Sequence, residues 1–144
     1  MRFARTVFAA AGVLGLLILL PGFFTIDMVS QLYPPAVTHQ DFYYGFLCVT
    51  AAWQLVFLVI ARDPIRYRPL MPAAMLEKFP YVAMLLILYT HGQLARPQLA
   101  AVVIDGTLGI LFVSAYTKTR GRICGAPATP PTPPPPPNVH APRP

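Results

Sequence analysis

Charge is scarce in this chain. Of 144 residues, 11 are basic and 5 acidic, 11% in all, less than half the about 25% of a typical soluble domain. A soluble fold this apolar has too few polar groups to cover its core, which excludes a soluble globular domain. Mean hydropathy is positive, at +0.55, despite 18 prolines. Cysteine is scarce too, with Cys48 and Cys124 the only two. There is no CxxC pair, no haem-attachment motif and no zinc spacing. Nor is there a phosphate loop, a dinucleotide fingerprint or a nucleophile elbow. No catalytic residue and no cofactor are therefore expected.

What the chain does have is four long apolar runs. A bilayer core of about 30 Å needs roughly 20 apolar residues per helix at 1.5 Å rise each. Residues 3–24, 42–61, 71–90 and 98–116 meet that length. The runs are continuous, with no two-residue alternation, so helices are predicted rather than strands. The expected fold is all-α, a polytopic membrane protein with a four-transmembrane-helix bundle over residues 1–122. Residues 123–144 read as a disordered proline-rich tail. Ten prolines fall within residues 127–144, a composition that favours polyproline II and cannot bury enough surface to fold. A docking site for a proline-binding partner is the sharper reading of that tail.

The basic start, Arg2 and Arg5, followed by an apolar run is shared by signal peptides and first spans. The sequence PGFF follows at residues 21–24 without a small-x-small cleavage pattern, so the segment is expected to stay as a span. Ten of the eleven basic residues sort to one side: Arg2 and Arg5 at the start of the first run, Arg62, Arg66, Arg68 and Lys78 around the junction of the second and third, and Lys118, Arg120, Arg122 and Arg143 after the fourth; Arg96 alone lies on the other side. Basic residues are retained in the cytoplasm, which predicts a bacterial inner-membrane protein with both termini cytoplasmic. The charge of +6 is thus not a nucleic-acid surface. On this topology Cys48 and Cys124 lie apart and form no disulfide.

Asp105 is the most informative residue. An acid near mid-span costs several kcal/mol unless it is neutral, paired or hydrated, and such residues face a bundle interior. Ala101, Asp105 and Gly109 are four apart, so small residues flank the acid on one helix face. It reads either as a proton-accepting or ligand-binding carboxyl, or as a structural fastener between helices. Tyr43, Thr50 and Gln54 share a stripe on the second span, and a Gln54–Asp105 hydrogen bond is geometrically open to antiparallel helices.

The third span must begin near Pro72, because a start at Pro80 leaves too few residues. Glu77 and Lys78 then lie roughly 8 Å inside it. Pro80 removes one backbone hydrogen bond and is expected to kink the helix. Glu77 is expected to pair with Arg62, Arg66 or Arg68, while Lys78 snorkels to the headgroups. The alternative is a headgroup or anion pocket of Arg66, Arg68 and Lys78. His39 and Asp41, joined by Asp27 and His91, are weak metal candidates against the plainer reading of solvated loop residues. Tyr43, Tyr44, Tyr67, Tyr89 and Tyr116 fit aromatic belts, and Trp53 is expected to pack. The pattern AxxxG at residues 11–15 permits close helix approach.

The runs ARDPIRYRPLM at residues 61–71, LEKF at 76–79 and IDG at 104–106 resemble those of small four-span bacterial membrane proteins, similar in broad architecture to DoxX-like proteins. The resemblance covers the spans and not the tail. It implies a four-helix membrane bundle and carries no catalytic or cofactor residue onto this chain. Three function classes follow. The leading one is a non-enzymatic accessory or small-ligand-binding component with its polar site at Asp105. The others are a proton-coupled transporter acting as an oligomer, since four spans enclose little space alone, and a quinone-linked redox component. Expected partners are the lipid bilayer and a homo-oligomer or membrane protein, with no nucleic acid.

Overall fold

The computed structural model describes residues 2–32, 36–94 and 96–123. Among them are five α-helices and no strand: α1 (Arg2–Gly22), α2 (Ile26–Leu32), α3 (Gln40–Arg62), α4 (Met71–Thr90) and α5 (Leu99–Ile123). Short 3₁₀ turns at Arg68–Leu70 and Arg96–Gln98 lead into α4 and α5. The helical segments through α1, α3, α4 and α5 are long and apolar enough to cross a bilayer. The chain is a multi-pass membrane protein with an all-α, four-helix architecture. The tail expected for residues 123–144 lies, from residue 124 onward, outside the described residues.

Helix boundaries follow local chemistry. In α1, Pro21 sits in the last turn, and the Thr25 hydroxyl donates to the Pro21 carbonyl at 2.9 Å. The chain then turns into α2, a seven-residue helix that the apolar periodicity does not predict. Asp41 in the first turn of α3 and Arg62 in its last complement the helix dipole. Beyond α3, the Asp63 carboxylate accepts from the amides of Ile65 and Arg66, both at 3.2 Å, forming a side-chain-capped turn.

Pro72 occupies the first turn of α4, where its missing N–H is no loss. The helix continues across Pro80 to Thr90 and is closed by Gly92, whose φ of +68° is left-handed. There the Gln93 amide donates to the Leu88 carbonyl at 2.9 Å and the Gly92 amide to Tyr89 at 3.0 Å, a Schellman closure that glycine makes cheap. The last helix, α5, runs seven residues past the predicted span end at 116. Hydropathy marks the apolar stretch, whereas the helix continues into the polar residues that overhang it.

The packing is uneven. Helix α1 lies most closely along α3, and α4 along α5; α1 also meets α5, while α3 and α4 touch sparsely. The core gathers at the end where α1 begins and α5 finishes, the termini end of the bundle. Phe8, Phe57 and Phe112 are fully buried there, beside Ile60, Met71 and Ala74. Phe8 stacks on Phe112 with centroids 4.3 Å apart, and Phe57 meets Phe112 at 5.0 Å and 68°. Small residues bring the backbones together. A Cβ at Gly12 would lie 2.8 Å from both the Gln54 carbonyl oxygen and the Leu58 side chain, so only glycine permits the α1–α3 approach. Hydroxyls within α5 return to its own carbonyls, Thr107 to Val103 at 2.7 Å and Ser114 to Ile110 at 2.9 Å, which satisfies them away from water.

Candidate functional site

Above the aromatic core the helices separate around a cavity of about 760 Å³, lined by α1, α2, α3, α4 and α5. That is within the about 300–1,000 Å³ of small-molecule sites. A single chain therefore leaves a recess of small-molecule size between its helices. Leucine, isoleucine, valine and aromatic side chains make up much of the wall. Asp105 and the α3 stripe of Tyr43, Thr50 and Gln54, read from the sequence as a polar site and its facing surface, all line this one cavity.

Asp105 reaches Lys78 rather than Gln54. The Lys78 ammonium lies 2.6 Å from Asp105 Oδ1 and 3.1 Å from Glu77 Oε2. Lys78 is only 5% exposed, and its Nζ sits 5.5 Å from the centroid of Phe57. The ammonium thus lies between the aromatic core and the cavity, bound by two carboxylates that both line the cavity. Its burial corrects the expectation that Lys78 snorkels to headgroups. With two acids at hand inside the bundle, the ammonium gains partners there that compensate its desolvation.

Glu77 is corrected in the same way. No ion pair joins it to Arg62, Arg66 or Arg68 among the described residues; its partner is the adjacent Lys78. Arg62 and Arg66 are exposed. Arg68 places its guanidinium 3.9 Å from the centroid of Tyr116, a cation–π contact at the termini end. The grouping of Arg62, Arg66 and Arg68 with Glu77 and Lys78 therefore divides, three arginines at the bundle end and an acid–base pair inside.

The polar stripe on α3 is held from within. Gln54, 2% exposed, donates from Nε2 to the Thr50 carbonyl at 3.2 Å, in place of the hydrogen bond that antiparallel helices left open to Asp105. Gly15 on α1 leaves room for it, since a Cβ there would overlap the Gln54 carboxamide. The Tyr43 hydroxyl donates to the Gly22 carbonyl at 2.9 Å, tying α3 to the end of α1. On α5, Ala101 and Asp105 line the cavity, while Gly109 lets Phe79 of α4 come close, with ring atoms 3.0 Å from where a Cβ would stand.

The metal candidates do not assemble. No group of three or more His, Cys, Asp or Glu is placed to share an ion among the described residues. His39 packs edge-on against Phe42 at 5.9 Å. A His91 ring nitrogen lies 2.9 Å from the Ile87 carbonyl oxygen, and Asp41 is exposed.

Sequence reasoning missed the role of Lys78 and the part of Trp53 and Tyr81 in the cavity wall. A signal existed for Lys78. It is the one basic residue well inside any apolar run, and a buried acid without a cation is costly. No family model, curated protein or solved structure matches this chain.

Proposed function

We propose that this protein is a non-enzymatic membrane component that binds a small molecule in the interior cavity, with Asp105 as the central polar group. The observation that carries this reading is the convergence of Asp105, Gln54, Thr50 and Tyr43 on one cavity of about 760 Å³. A few polar groups set in an apolar wall are the usual composition of a small-molecule site. The cavity lies in the half of the bundle away from the start of α1 and the end of α5. Arg2, Arg5, Arg62, Arg66, Arg68, Lys118 and Arg120 crowd the termini end, against Arg96 at the other, which supports cytoplasmic termini in a bacterial inner membrane. In that orientation the cavity belongs to the outer half of the bilayer.

Native mass spectrometry of the full chain, extracted in mild detergent, tests the reading. The expected spectrum shows a retained small molecule on the wild-type chain and none on Ala101→Phe, whose ring occupies the space directly beside Asp105 that the ligand needs. Identical bound masses on the two chains, or none on either, overturn it.

The grouping of two acids around one base favours a second reading, a proton-coupled carrier acting as an oligomer, because such a cluster can exchange a proton. Proton-coupled uptake into proteoliposomes that disappears in Asp105→Ala is its signature. Co-purification of a stable membrane partner without uptake favours the accessory role.

A further inference from the structure

The cavity wall is not neutral in its ionic groups. Three ionisable side chains of the acid–base class line it, Glu77, Lys78 and Asp105. With all three ionised, two carboxylates face one ammonium and leave one net negative charge on the cavity wall. The other polar lining groups, Thr50, Gln54 and Gln98 among them, are uncharged. A net charge held away from water is met by a proton or by a counter-charge, and the aromatic lining favours the counter-charge.

The aromatic wall has the same preference. Tyr43, Phe46, Trp53 and Tyr81 line the cavity, and ring faces attract cations. Phe46 and Tyr81 also approach each other across the sparse α3–α4 seam, with centroids 6.3 Å apart and planes 29° apart. An anion would meet the opposite field. The cation that could bind it is already engaged, at 2.6 Å from Asp105 and 3.1 Å from Glu77, so an anionic group entering here would stand against two carboxylates.

We propose that the cavity takes a lipophilic cation, an amphipathic molecule whose positive centre sits against Glu77 and Asp105 while its apolar body lies along the aliphatic and aromatic walls. This rests on the cavity-binding reading above and adds the charge of the ligand to it. The volume is ample for a body of several rings or a branched chain. Lys78 is then a positioning residue, holding the two carboxylates on one side of the site.

Trp53 supplies the readout, since it is the chain's single tryptophan and lines the cavity. The full chain in detergent micelles is titrated with tetraphenylphosphonium, with tetraphenylborate as its anionic counterpart, and with neutral triphenylphosphine oxide. Protein-free micelles serve as the blank in parallel equilibrium dialysis. The expected result is a saturable change in Trp53 fluorescence with the phosphonium at one per chain, and at least tenfold weaker binding of the borate. Asp105→Asn and Glu77→Gln, each checked for folding by circular dichroism, should each weaken phosphonium binding at least tenfold. Equal affinity for cation and anion, or wild-type phosphonium affinity in both variants, overturns the proposal. If the neutral probe saturates as tightly as the cation, the charge preference fails while the cavity-binding reading stands. If no probe saturates, both fall. The ion comparison is made on the wild-type chain, so it stands even where a variant misfolds.

Discussion

Phe8, Phe57 and Phe112 bury their rings completely near the termini. Seven residues further along α1 and three residues back along α3, Gly15 and Gln54 already line a cavity. One half of the bundle is solid and the other hollow, although the same four long helices run through both. Overall hydropathy does not separate them, because both halves are apolar. What differs is side-chain size and polarity. Three phenylalanines close one half; glycine, alanine, glutamine and an ion cluster meet in the other. In lipid no hydrophobic collapse drives helices together, so association depends on close packing and interhelical polar contacts. The aromatic end supplies the packing that holds the helices, which allows them to stand apart beyond it.

The largest test of this contrast is Phe112→Ala. It removes a ring that stacks on Phe8 at 4.3 Å and meets Phe57 at 5.0 Å, and a core phenylalanine truncation costs about 3–5 kcal/mol. Unfolding in mixed sodium dodecyl sulfate and dodecylmaltoside micelles should register that loss. A cost near that of a surface substitution would show that the aromatic end is not what holds the bundle.

Next comes the boundary between the halves. Lys78→Met leaves Glu77 and Asp105 facing each other with no cation. Breaking a fully buried pair costs about 3–5 kcal/mol, and the two acids each keep 17% side-chain exposure, so about 2–3 kcal/mol is expected. Adding Asp105→Leu to Lys78→Met should recover part of that loss, because an unpaired acid has then been removed from the interior. If the double variant is less stable than Lys78→Met by the full cost of Asp105→Leu alone, the two residues are uncoupled and the ion pair is not a fastener.

Gly12→Val follows. Its Cβ would lie 2.8 Å from the Gln54 carbonyl oxygen and from the Leu58 side chain, and backbone cannot yield as a flexible side chain does. Overpacking of this kind costs about 1–3 kcal/mol. The same unfolding measurement should place it below Phe112→Ala and above Ala101→Val in the cavity wall.

The contrast also explains what could be read in the sequence. The four spans were legible because bilayer thickness imposes a length on apolar runs, and α4 falls on its expected limits of 71 and 90. Asp105 stood out because depth in the membrane makes an acid expensive wherever its partner is. The partner was not legible. Lys78 and Asp105 lie on different helices, and their meeting depends on how α4 and α5 rotate about their axes, which the apolar pattern of two nearly uniform helices does not specify. Glu77 was sent to the arginines of the neighbouring loop on sequence proximity, while a contact across the bundle held its neighbour inside. The short α2 escaped because seven residues contain too little periodicity to separate from a loop.

The smallest expected effect is the sharpest test of the hollow half. Ala101 is half-buried and lines the cavity, one helical turn from Asp105 on the same face of α5. In the solid half, adding carbon atoms forces side chains off their rotamers and destabilises. Beside a cavity of about 760 Å³ the added atoms have somewhere to go. Ala101→Val should therefore change unfolding stability by no more than about 0.5 kcal/mol, the range of a substitution that disturbs no packing. The matched change at Ala115, which is fully buried among the core residues at the other end, should cost about 1–3 kcal/mol. Equal costs at the two alanines would mean that the wall beside Asp105 is as tightly packed as the aromatic end, and a cavity ligand would then have no room.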